Sequence, residues 1–148
     1  MHCENDIGFS VRKLSNAIKR DVEKNRLELG IEHVKGINGW VIDYFYQNRN
    51  NDIFQKDFEE KFSIRSSTAS RMLKTMEQNG FIERVSVEND GRLKKIVLTD
   101  KAAENHKKII KSIEQREEKL RKGLSESELE IFFKVMKKLT ENMEANDD

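Results

Sequence analysis

Proline is absent from this chain of 148 residues, and with it the residue that most often breaks a helix. Long uninterrupted helices are permitted, and a sandwich of short strands joined by proline turns is disfavoured. Cysteine occurs once, as Cys3, which excludes an intramolecular disulfide framework. An oxidation switch or intersubunit disulfide at Cys3 would need an activating neighbour, and the sequence shows none. The three histidines, His2, His33 and His106, stand too far apart for metal-ligand spacing, so no metal is expected. His106, on a lysine-rich stretch, is expected to be solvated. No apolar run approaches the roughly 20 residues that span a bilayer. Met1 to Ile7 lacks the basic and apolar regions of a secretory signal. A cytoplasmic protein with no membrane partner is expected. Phosphate-binding glycine loops, nucleophile motifs and paired acid–base signatures are missing too. That argues against an enzyme and gives no reason to expect a cofactor.

A strong charge of one sign is also missing, since the net charge is +1. Its distribution is uneven. Between Lys61 and Lys101 nine basic residues face five acidic ones, a local +4 that leaves −3 elsewhere. A positive reading head on a mildly acidic body is compatible with phosphate binding, though this signal is weak alone.

What is present is mostly helical patterning, and the length suits a single domain. Ile7, Val11, Leu14, Ile18 and Val22 mark an amphipathic helix over residues 7 to 22, with Gly30 as a stop. A second helix is expected from about Glu32 to Asn48, carrying Val34, Ile37, Val41, Tyr44 and Phe45. Gly36 and Gly39 weaken it and suggest close packing against a neighbour. Asn51 or Asp52 is the expected cap of a short helix ending near Phe62. A further helix over 65–79 stops at Asn79-Gly80. Two short helices with a tight connection make a helix-turn-helix unit. Phe81–Val87 and Arg92–Thr99 flank the turn signal Glu88-Asn-Asp-Gly91 and predict a β-hairpin, or wing. Asp100 is the expected cap of a long helix to about Lys122. Ser125-x-x-Glu128 is a capping box opening the last helix, and the tail from Asn142 is expected to fray.

The helix over 65–79 has two unlike faces. Ala69, Met72, Leu73 and Met76 recur at core spacing. Arg65, Ser66, Ser67, Ser70, Arg71 and Lys74 lie elsewhere. Serine hydroxyls donate to phosphates or read base edges, and arginine pairs bidentately with guanine. Lysine and glutamate would be the commoner choice on a merely solvated face, because serine is a middling helix former. The plainer alternative is that the serines only cap the helix start. Arg92, Lys94 and Lys95 follow the wing turn. An arginine at a hairpin tip suits the electronegative minor groove, and Asp90 is placed to hold its guanidinium through a bidentate pair.

The helix over 65–79, the Asn79-Gly-Phe-Ile-Glu-Arg84 junction, the Asp90-x-Arg92-x-Lys94 wing and Val97-Leu-Thr-Asp-Lys-Ala102 together resemble the MarR family of bacterial regulators. The pattern covers Gly30 to Ala102. Where the family carries glycine soon after the leucine-threonine pair, this chain has Ala102 and Ala103. The resemblance implies a winged helix-turn-helix lobe over residues 31–100, with residues 1–30 and 101–148 as dimerisation helices. It implies a homodimer that places reading helices in successive major grooves and wings in flanking minor grooves of a pseudo-palindromic double-stranded operator. On that basis Arg92 makes the wing contact and Asp90 orients it, while Ser66, Ser67, Thr68, Ser70 and Arg71 lie on or near the reading helix.

The terminal helices are apolar on faces that a lobe of this size does not fully cover, which independently suggests a partner copy. The expected function is a repressor relieved by a small ligand or an oxidant. His33, Trp40, Tyr44, Phe45 and Tyr46 lie where the family's phenolic effectors would bind, though aromatics at helical spacing more often build a core. The rival from another class is a winged-helix protein–protein interaction module without DNA binding. A small-molecule enzyme subunit is more distant.

Overall fold

A computed structural model describes residues 3–31, 34–35, 37–88 and 90–145. A short 3-10 turn, Cys3–Asn5, precedes six α-helices and one hairpin. In chain order these are α1 (Ile7–Glu28), α2 (Asn38–Gln47), α3 (Gln55–Phe62), α4 (Ser66–Gln78), β1 (Ile82–Val87), β2 (Asp90–Leu98), α5 (Asp100–Arg121) and α6 (Glu126–Glu144). The mostly-α architecture with a small wing is as expected. Two compact units divide the chain, residues 1–113 and 114–148.

Asp6 starts α1 by accepting the Phe9 N–H at 2.9 Å. The helix outruns its apolar stripe to Glu28, and Gly30 closes it with φ of 68°. The second helix begins later than expected, at Asn38 instead of about Glu32. Ile31 and Val34 are buried all the same, with the Val34 N–H donating to the Ile31 carbonyl at 2.9 Å. An apolar period reports burial, and Ile31 and Val34 achieve it outside any helix. Gly39 does mark a close approach, because a β-carbon there would lie 3.4 Å from Ile109 Cγ2 on α5. Gly36 lies outside the described residues.

The third helix also starts late, at Gln55, and neither Asn51 nor Asp52 caps it. The Ile53 carbonyl instead accepts the Ile96 N–H at 2.7 Å, which draws Ile53 to the edge of β2. Asp57 accepts the Phe54 N–H at 2.8 Å and takes over the capping. The expected cap of α5 is displaced by one residue. Thr99, not Asp100, accepts the Ala102 N–H at 3.3 Å, and its hydroxyl donates to the Gly80 carbonyl at 2.6 Å. In the second unit the Ser125–Glu128 box forms as read, with bonds of 2.8 and 3.2 Å. There α6 runs to Glu144 past the expected fraying point, and residues 146–148 lie outside the description.

The hairpin is antiparallel, pairing Ile82 with Leu98, Arg84 with Ile96 and Ser86 with Lys94 before a bulge beside Val87. Asn89, in the expected turn, lies outside the described residues. One side of the lobe closes over Val41, Ile42, Phe45, Phe58, Leu73, Met76, Ile82, Ile96 and Ile109, all buried. Within the first unit Ile7, Phe9, Val11 and Leu14 of α1 remain exposed, and so do Ile131, Phe132, Phe133 and Val135 of α6 in the second. Among the described residues no helix is long and apolar enough to cross a membrane.

Gly80 joins α4 to the wing at φ of 76°, and the nearest atom to an added β-carbon is Lys101 Cδ at 3.8 Å. Space therefore allows a methyl group and the backbone does not. Gly80→Ala is expected to cost about 1–2 kcal/mol, read as a lower urea midpoint. An unchanged midpoint would show that the turn tolerates a side chain.

Candidate nucleic-acid interface

The amino end of α4 is what the reading face needs. Arg65 occupies the N-cap with extended backbone, and no side chain caps the helix. The serines therefore do not serve as caps, and the plainer alternative for them fails. Ser66, Ser67, Ser70, Arg71 and Lys74 are exposed along with Arg65, Thr68 is half-buried, and Ala69, Leu73 and Met76 are fully buried. The helix turns its apolar stripe inward and leaves hydroxyls and cations outside.

Three side chains absent from the sequence-based site hold this helix in place. Gln55, at the first turn of α3, points its amide nitrogen at Ser70 Oγ, 2.9 Å away, and at the Ser66 carbonyl, 3.4 Å away. At the carboxyl end Lys101 Nζ donates to the Asn79 carbonyl at 2.9 Å and lies 5.1 Å from the centre of the Phe81 ring. Arg84 approaches Glu77 at 4.0 Å. A cation at a helix carboxyl terminus meets the negative end of its dipole. No local pattern announces these partners, because Gln55 and Ser70 are 15 residues apart and Lys101 and Asn79 are 22 apart.

On the wing, Arg92 and Lys94 are exposed. Asp90 does not clamp the Arg92 guanidinium as expected. Its carboxylate accepts the Arg92 backbone N–H at 2.9 Å, which shapes the start of β2 and leaves the guanidinium outside that bond. Lys95 is half-buried and turns to Asp52 at 3.5 Å, bracing β2 against the segment before α3.

Of the candidates for a ligand pocket, Tyr44 and Phe45 pack against other rings. Tyr44 stands edge-on to Phe62 at 5.8 Å and tilts against Phe45 at 5.6 Å. Burial pushes its phenol above the ordinary tyrosine range, with Asp57 and Glu60 adding to the effect. Phe45 belongs to the core, Trp40 is 39% exposed, and His33 lies outside the described residues. The Tyr46 ring stacks on the His106 imidazole at 3.6 Å and carries the Arg49 guanidinium 4.2 Å from its centre. His106 is not solvated as expected, since its Nε2 sits 2.8 Å from Asp43 Oδ1 and only 12% of its side chain is exposed. An open cleft of about 750 Å³ is bounded by Asn16, Lys19, Arg20 and Glu23 of α1 with Lys35, and its lining is largely apolar, with Ile37 and Met72 contributing. The Arg26 guanidinium holds the Glu23 carboxyl below its usual range. Among the described residues no His/Cys/Asp/Glu group is arranged to hold a metal ion.

The stretch from Asn48 to Lys94, spanning α3, α4 and the hairpin tip, matches the model of the MarR family. Over 97 residues the chain is 26% identical to the HTH-type transcriptional regulator BilQ of Clostridioides difficile (strain CD3), a match covering 66% of each chain. The heme sensor protein PefR from Streptococcus agalactiae, solved in complex with heme, superimposes with a TM-score of 0.69 at 28% identity, covering 97% of this chain and 99% of that one. The transcription regulator MarR from Oenococcus oeni PSU-1 gives 0.70 at 26%, over 95% and 99%. In its serine- and arginine-faced helix, its basic wing and the matched stretch joining them, this chain is similar to the MarR family of winged helix-turn-helix transcriptional regulators.

Proposed function

We propose that the chain acts in the cytoplasm as a homodimeric repressor that binds a pseudo-palindromic double-stranded operator and is released by a small ligand or an oxidant. The observation that carries the reading is the exposed row of Ser66, Ser67, Ser70, Arg71 and Lys74 on a helix whose amino end needs none of them as a cap. Polar and basic groups left outside on a short helix are suited to base edges and phosphates. Arg92 on the wing supplies a second point of contact, for the minor groove. The uncovered apolar faces of α1 and α6 support the dimer, because single chains rarely leave such rows open to water. Two copies with half-sites about one helical turn apart match the symmetry of a palindrome. PefR is a heme sensor by name, so heme belongs beside phenolic compounds among the effectors to test.

Fluorescence anisotropy on duplex DNA tests the residue roles. Arg71→Ala is expected to cost about 1–3 kcal/mol on the preferred site and to relax one base position. Arg92→Ala is expected to weaken binding to every sequence. Undiminished affinity in both variants would overturn the assignment of this face to DNA.

A further inference from the structure

We propose that Gln55 biases the polarity of the Ser70 hydroxyl, so that Ser70 preferentially presents a hydrogen-bond donor to a base edge in the major groove. The inference rests on the DNA-binding reading and deepens it. Serine is ordinarily ambivalent at a base edge, because a hydroxyl both donates and accepts. Here Gln55 occupies one of the two lone pairs and biases the hydroxyl toward donating. The Gln55 amide nitrogen lies 2.9 Å from Ser70 Oγ and 3.4 Å from the Ser66 carbonyl. A carbonyl oxygen never donates, so the amide must turn its N–H groups, not its oxygen, toward this pair. An amide nitrogen does not accept, so the Ser70 hydroxyl is the acceptor of that bond.

The Ser70 proton is then left over, and among the described residues no acceptor takes it. The Ser66 carbonyl, one turn back, already receives the Gln55 amide and lies within the helical hydrogen-bond ladder. Ser70 is exposed, so its O–H turns toward whatever lies against the helix. In free protein that is water. In a major groove the matching atoms are guanine N7 and O6, adenine N7 and thymine O4. An amino group of cytosine or adenine at the same place would have to use the single lone pair that Gln55 leaves on Ser70 Oγ, with the hydroxyl proton turned away from the base. The expected discrimination is about tenfold, one well-placed hydrogen bond. Gln55 is thus a positioning residue that acts through Ser70.

The test is selection from a duplex library with a randomised core, followed by sequencing, using the full-length wild type, Gln55→Ala, Gln55→Glu and Ser70→Ala. The expected result is that Gln55→Ala and Ser70→Ala lose preference at the same single position of each half-site, with the other positions intact. Gln55→Glu, whose carboxylate can only accept from Ser70, should move that position toward bases presenting an amino group. Preferences that stay unchanged in Gln55→Ala, or that change at a position different from Ser70→Ala, would overturn the proposal even if overall affinity falls. A merely structural role for Gln55 would weaken binding without moving one base. If Gln55→Glu does not fold, the comparison of the two alanine variants decides. A wild type that enriches no motif would overturn the DNA-binding reading itself, and this inference with it.

Discussion

Phe58→Ala is expected to lower the unfolding free energy by about 3–5 kcal/mol, the range for deleting a fully buried aromatic ring. Phe58 is wholly inaccessible and is the one buried residue of the eight in α3. Its ring tilts against Phe45 at 5.8 Å and Phe62 at 5.4 Å. The magnitude depends on whether the void can close. Phe62 is held by Tyr44, and Tyr44 by Phe45, so a ring that moved into the gap would abandon its own partner. The cavity should therefore persist and the loss should fall in the upper half of the range. Against a net stability of about 5–15 kcal/mol for a domain, that is a large fraction. Urea unfolding followed by far-ultraviolet circular dichroism should show a lower midpoint at an unchanged slope. A loss below about 1.5 kcal/mol would mean that α3 is anchored by something else. Operator binding should weaken as well, because Gln55 reaches α4 from the same helix.

Local signals explain which elements were legible beforehand. The apolar stripe of α4, its Asn79-Gly80 stop, the two β-prone runs and the Ser125–Glu128 box are each written within a few residues, and each forms as expected. The departures share a different cause. A cap at Asn51 or Asp52 would put Ile53 inside α3, but β2 claims its carbonyl through Ile96, far along the chain. Thr99 displaces Asp100 as a cap because its hydroxyl can bond Gly80 and Ala102 together. His106 finds Asp43 63 residues away and stacks on Tyr46, a pairing that no spacing within either helix foretells. The aromatic row on α2 illustrates the ambiguity of periodicity: Phe45 and Tyr44 repeat as ligand-binding residues would, and they build core. The exposed cations of α4 and the wing were legible as residue types. The positioning partners Gln55 and Lys101 were not, since their roles exist only after the lobe has folded.

Raising the salt concentration from about 50 to 200 mM is expected to reduce duplex affinity by about 10³–10⁵, the loss for six to ten neutralised phosphates. A net charge of only +1 on its own argues for a weaker dependence. Screening decides otherwise, because at about 0.1 M salt a charge is felt over only about 10 Å. The acidic body is therefore largely silent, and the count of phosphates touched sets the slope. Arg65, Arg71, Lys74, Arg92 and Lys94 are exposed, and two copies of that set reach the required number. Lys95 and Arg84 add less, since each must first leave a carboxylate, Asp52 or Glu77. Replacing Arg92 by Gln removes one phosphate partner from each of two copies, so the log–log slope should become shallower by about 1.8. A protein–protein module would show no such pattern. Titrations at several salt concentrations giving a slope shallower than about −2, or a slope that Arg92→Gln leaves unchanged, would remove the phosphate contacts on which both the reading helix and the wing depend.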